Sequence, residues 1–229
     1  DHRDLHSFPT RRSSDLMLPN IDQALYVRFK CEGYRKKKYK RAPVLSVDEI
    51  VQLGYLDVNR TIMGIEPKQS GWLKQTVVTF INNLLASPPE NQQRFDLLHD
   101  ECCQKCLEAD ALGKASIHYG QTQKLLNMSL KYLYNEFAAY YGKLNHCRFP
   151  DNNVEHFFHL PIDSQIRDHL VTKCSFTDPT PLPWSRWARS HYVSFQAQVR
   201  KRISSEYKPL EIDHILWNTQ GASLGGVMR

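Results

Sequence analysis

From residue 46 onward, apolar side chains recur at steps of three and four, the spacing of helices that each bury one face. Ser46 stands three residues before Glu49 as a capping box ahead of Ile50, Val51 and Leu53, and Gly54 marks the expected end of that short helix. After a turn-rich stretch, Trp72, Val77, Phe80, Ile81, Leu84 and Leu85 outline an amphipathic helix stopped by Pro88 and Pro89. Residues 90–112 read as another helix, closed by Gly113. Gly120 then stands just ahead of a long apolar run, Leu125, Leu126, Met128, Leu130, Leu133, Phe137 and Tyr140, which predicts a largely buried helix. A polar loop over 143–155 follows. Pro161 opens the next helix, with Asp163 in its first turn. The proline-rich run 177–183 leads into a long helix over 184–203, faced by Trp184, Trp187, Tyr192, Phe195, Val199 and Ile203. Pro209 starts a last short one.

Strand-like alternation and internal repeats are lacking, so the pattern predicts an all-α chain with about seven helices around one core. Residues 46–220 form the helical domain, 17–45 a basic N-terminal segment, and 221–229 a glycine-rich tail expected to be flexible. Residues 1–16 are set aside from the fold. The run SFPTRRSSDL resembles a translated sequencing adapter, and Met17 follows it as a natural start.

Charge changes the picture next. The chain carries a formal net charge of +6, which favours an acidic partner. The positive residues cluster at 28–41, RFKCEGYRKKKYKR, where Arg35, Lys36, Lys37, Lys38, Lys40 and Arg41 sit among Phe29, Tyr34 and Tyr39 with Glu32 alone opposing. Such a run can neutralise phosphates while its tyrosines stack on bases or pack under lysine stems. A solvated basic loop or a nuclear address fits the same residues. The polar side of the 184–203 helix, with Arg186, Arg189, Arg200, Lys201 and Arg202, is a second candidate basic surface.

No run of ~18 apolar residues is present to span a bilayer. Residues 17–30 lack the uninterrupted apolar core of a secretory signal. The expectation is a soluble intracellular protein, nuclear in a eukaryote and otherwise cytoplasmic, with its six cysteines as free thiols. Cys102, Cys103 and Cys106 make one tight cluster without the second pair that a structural zinc site uses, so they read as buried thiols. His146, His156 and His159 do not follow the spacing of ligands on a helix and read as loop residues. A Walker-type phosphate loop, a Gly-x-Ser-x-Gly elbow and a spaced carboxylate set for two metals are all missing. No metal or cofactor is expected.

What remains is one odd pair. Lys124 puts a charge at the entrance of the buried helix, and Asp163 lies in the first turn of the next one, so the two can face a common cleft. Each also has an ordinary account. The lysine stem can cross the core edge to solvent, and an aspartate at a helix start is favoured by the macrodipole.

Gly120-Gln-Thr-Gln-Lys124 entering an apolar helix, followed by Leu160-Pro-Ile-Asp163 entering another, resembles the helix-hairpin-helix DNA glycosylases of the 8-oxoguanine type. The resemblance covers roughly residues 117–171, with Thr122 where the hairpin's second glycine would stand and a longer stretch between lysine and aspartate. It implies a degenerate helix-hairpin-helix within the all-α fold, with Gly120 as the hairpin glycine that meets the nucleic acid. Lys124 would be the nucleophile and Asp163 the essential carboxylate. The implied reaction extrudes a damaged base from duplex DNA. The neutral amine of Lys124 then attacks the sugar as the base leaves, and the Schiff base that results can eliminate to cut the strand. Asp163 would stabilise positive charge developing on the sugar. Two other readings stay open, a non-catalytic helical module that binds nucleic acid and a helical protein-interaction subunit.

Overall fold

The computed structural model describes residues 45–140, 154–203 and 207–219, and within these the side chains of 137–140, 214, 215 and 217–219 are not described. The adapter-like segment, the basic run with Arg35, Lys36, Lys37, Lys38, Lys40 and Arg41, the loop with His146 and Cys147, and the tail lie outside the described residues, as do the side chains of Phe137 and Tyr140. The protein is all-α. Seven helices lie among the described residues: α1 (Val47–Val58), α2 (Pro67–Ala86), α3 (Gln92–Leu107), α4 (Tyr119–Tyr140), α5 (Ser164–Lys173), α6 (Arg189–Arg202) and α7 (Pro209–Thr219). Their apolar faces merge into one core.

The capping box of α1 forms as expected, Glu49 N donating to Ser46 Oγ at 3.3 Å and Ser46 N to Glu49 Oε2 at 2.9 Å. The helix nevertheless runs through Gly54 to Val58. That glycine permits contact rather than ending anything: a Cβ there would lie 2.4 Å from Ser129 Oγ and 2.9 Å from Ser129 N on α4. Helix α2 begins at Pro67, earlier than the apolar run from Trp72 suggests, with Glu66 N donating to Gln69 Oε1. The same Gln69 is buried, and its Nε2 donates to Ala109 O (3.2 Å) and Ala115 O (2.8 Å). These bonds tie down the tight turn Glu108–Leu112, where α3 has already ended.

Helix α4 is the axis of the molecule. It packs against α1, α2, α3, α6 and the short turn Trp184–Arg186, and every residue from 119 to 133 is buried. The expected single helix over 184–203 is instead that turn, two extended residues and α6. The break has a structural cause. Trp187 O accepts from Gly120 N at 2.9 Å, satisfying one of the free donors at the start of α4, and the Trp187 ring is fully buried with Nε1 donating to Leu182 O. Helix α5 packs against α7.

Candidate functional site

Helix α4 starts at Tyr119, so Lys124 lies in its second turn rather than at its mouth. Asp163 is the N-cap of α5 and not a residue of its first turn, with Oδ1 accepting from Ile166 N at 2.9 Å. Pro161 and Ile162 deliver the chain to that cap from outside the helix. Between the two helices Lys124 Nζ donates to Asp163 Oδ2 at 2.9 Å, with side-chain exposures of 6% and 14%. The two residues singled out in the sequence therefore form one ion pair, the lysine buried and the aspartate partly so. Burial alone would raise the Asp163 carboxyl, but the Lys124 ammonium, the Ile166 N–H and the charge of Lys131 hold it below the ordinary carboxylate range.

A second pair lies alongside. Lys131, seven residues on from Lys124 and so on the same side of α4, donates to Asp213 of α7, and both are buried. Asp213 Oδ1 is buried with no hydrogen-bond partner among the described residues. Burial pushes the Asp213 carboxyl upward against the pull of Lys131 and then Lys124. Sequence reading missed this pair. Its signal was there: a second lysine in the same apolar run, two helical turns from the first.

A third set of polar side chains fills the core between α4, α3 and α6. Asn127 Nδ2 donates to Tyr192 Oη (2.8 Å) and to Gln123 Oε1 (2.9 Å), and Tyr192 Oη donates to His159 Nδ1 (2.7 Å). His159 Nε2 donates to Asp96 Oδ1 at 2.8 Å. On the other side His99 Nε2 donates to Asn127 Oδ1 (2.9 Å), and the Cys103 thiol lies 3.8 Å from His99 Nδ1. These donor assignments correspond to the neutral form of the His159 ring, whose Nδ1 accepts while Nε2 donates. Burial accordingly lowers both histidines from their ordinary value. His159 does lie in an irregular segment, between the Val154–His156 turn and α5, but its ring is buried in the core. Gln123 links this network to the ion pair, since its Nε2 reaches Ile162 O at 3.4 Å, one residue before Asp163.

The other expected site residues lie apart. Gly120 sits inside α4, not in a hairpin, and its missing side chain makes room for Trp184 O, which a Cβ would approach to 1.9 Å. Arg189 is exposed but bonds Asp100 at 2.7 Å. Arg200 is taken up by Gln92, Asp96 and Phe157 O, and Arg202 by Cys174 O. Much of the anticipated second basic surface is therefore engaged within the protein; Arg186 stands exposed in the Trp184–Arg186 turn. Residues 28–41 carry eight basic side chains against Glu32, a local charge of +7, so the rest of the chain is −1 within a total of +6.

Cys102, Cys103 and Cys106 are buried free thiols, and burial pushes Cys103 well above its ordinary value. Among the described residues no group of three or more His, Cys, Asp or Glu side chains is arranged to hold a metal ion. A cavity of about 600 Å³ opens between α2 and α3, lined by Trp72, Phe80, Asn83, Arg94, Cys102 and Lys105 among others, and includes none of the ion-pair residues. Among the described residues no helix is long and apolar enough to cross a membrane. The chain matches no protein-family model, no curated protein and no solved structure.

Proposed function

We propose that the protein is a DNA glycosylase and lyase that acts on an extruded damaged base, with Lys124 as nucleophile and Asp163 as the supporting carboxylate. The observation that carries this reading is the 2.9 Å contact between the two side chains, which come from successive helices and lie 39 residues apart in the chain. In its neutral form a lysine amine can attack a sugar carbon, a step that needs no metal. The nitrogen–carbon bond to the sugar forms as the bond to the base breaks, and the base departs with that electron pair and a proton from water. Asp163, kept ionised by its surroundings, would stabilise positive charge developing on the sugar. The N-cap bond to Ile166 fixes the carboxylate against the start of α5, so its orientation is set before substrate arrives. The charge of residues 28–41 supplies attraction for the phosphate backbone.

A second reading is a non-catalytic nucleic-acid-binding module, favoured by the concentration of the whole net positive charge in that one segment. Borohydride trapping separates the two. The expected result is a covalent adduct with duplex DNA carrying damaged bases or abasic sites, present in the native protein and lost in Lys124→Gln. Absence of adduct on every substrate, with salt-sensitive DNA binding retained, would favour the module instead.

A further inference from the structure

The cavity between α2 and α3 belongs to neither ion pair nor the histidine network, and its walls carry a pattern of their own. The two helices form a hairpin, tied at one end by the short connector 87–91 and at the other by Trp72 Nε1, which donates to Lys105 O at 2.9 Å. Between these ties about 600 Å³ stands open above Phe80, Leu84, Leu98 and Cys102. The α2 wall adds Gln75, Thr79 and Asn83, which are exposed and uncharged.

All the charge comes from α3 and the residue before its cap. Glu90, Arg94, Glu101 and Lys105 line the cavity, and all four are exposed. Arg94, Leu98, Glu101 and Lys105 succeed one another at steps of four, three and four, so they form one stripe about 16 Å long on the open side of α3. Charges four apart on a helix can pair with each other, Glu90 with Arg94 and Glu101 with Lys105. Yet none of these four side chains makes an ion pair or hydrogen bond with another described residue.

The order of the charges is what identifies a partner. Along α3 it reads minus, plus, leucine, minus, plus, and it is complementary to itself when reversed. An antiparallel copy of α3, turned about the midpoint between Leu97 and Leu98, sets Arg94 opposite Glu101 and Glu90 opposite Lys105, each contact occurring twice by symmetry. Leu98 lies at the centre, with Leu97, 48% exposed, at its edge. A parallel copy would set every charge against its like.

We propose that this face is a homodimer interface, in which the α2–α3 hairpins of two copies close the cavity as an antiparallel four-helix arrangement. The uncharged α2 wall offers nothing that repels the second copy, and the apolar floor becomes the centre of the contact. A small ligand would not require charges in a self-complementary order along three turns of helix. The interface is separate from Lys124 and Asp163 and stands whether or not that pair is catalytic.

The test is self-association of the full chain, read by sedimentation over a concentration series. The native protein should form dimers that dissociate on dilution. Arg94→Glu meets Glu101 of the second copy with a like charge, and Glu101→Arg meets Arg94 in the same way, so each single variant should weaken association by about a hundredfold. The double variant Arg94→Glu/Glu101→Arg restores both contacts in the opposite sense and should recover the dimer. Both positions are exposed, so folding should be unaffected, which circular dichroism checks. A native protein that stays monomeric at every concentration would overturn the proposal and leave the cavity to a different occupant. Dimers indifferent to the single exchanges, or not recovered by the double one, would overturn it as well.

Discussion

At the scale of single residues, the informative comparison is between what Lys124 and Asp163 do for each other and what each would do alone. A buried charge whose partner is removed is left uncompensated, a loss of about 3–5 kcal/mol, whereas removing both charges is often close to neutral. Asp163→Asn keeps a good N-cap while deleting the charge, which separates the ion pair from the capping bond. Lys124→Met and Asp163→Asn are each expected to destabilise the protein by about 3–5 kcal/mol, and the double variant by much less than their sum. Urea unfolding of the four proteins measures the coupling. Simple additivity would show that the pair does not act as a unit.

Lys124 was legible from the chain because a charge inside an apolar run is conspicuous, and Asp163 because Pro161 marks a helix start beside it. Lys131 was equally conspicuous in principle, yet its partner Asp213 lies in the last helix, with nothing local to mark it. The histidines show the same limit. His159 is a loop residue as its polar surroundings suggest, but nothing local marks it as buried, and its partners, Tyr192 and Asp96, come from two different helices.

At the scale of elements, three glycines show how punctuation and packing are confused. Gly54 and Gly120 read as a helix end and a hairpin, but both lie within helices and mark close approach to a neighbour. Gly71 lies in α2, where an added Cβ would meet nothing within 4 Å, so there the residue contributes only backbone freedom. Gly120→Ala places a methyl 1.9 Å from a carbonyl oxygen that cannot rotate away, so a loss of about 1–3 kcal/mol or more is expected. Gly71→Ala should stabilise by up to about 1 kcal/mol. Thermal unfolding of the two variants checks the contrast, and equal effects would remove close approach as the reason for Gly120. The 184–203 segment carries a related lesson. Its aromatics are spaced as in a helix, but the strap from Trp187 O to Gly120 N holds the chain extended before α6 can start.

At the scale of the whole molecule, acid sensitivity follows from the network that joins α3, α4, α6 and the segment before α5. His99 and His159 have folded values below the ordinary histidine value of about 6.5, burial being the first cause of each. As pH falls below about 6.5, the unfolded chain therefore takes up protons that the folded protein refuses. The stabilisation is complete above that pH and lost on the way down through the folded values, at up to about 1.4 kcal/mol per pH unit for each histidine. Asp213, raised by burial, acts in the opposite sense, so the histidine effect is best read in an Asp213→Asn background. Urea midpoints should stay level from about pH 7.5 to about 6.5 and fall between there and about 5, and His159→Gln should flatten that fall. A pH-independent midpoint would mean that the histidines are not held neutral.

The sequence by itself determined the helical class, the α1 cap, the depth of α4 and the two residues that meet as an ion pair. Each of these follows from local periodicity, a short-range hydrogen bond or a charge out of place in an apolar run. Only the tertiary structure decided which helices continue through their glycines, where α6 begins, and how two ion pairs and a histidine network share the core around one helix. Those outcomes depend on carbonyls, carboxylates and ring nitrogens from elements far apart in the chain, and a buried polar group takes its partner from whatever the fold sets beside it. For Lys124 that partner is Asp163, at 2.9 Å.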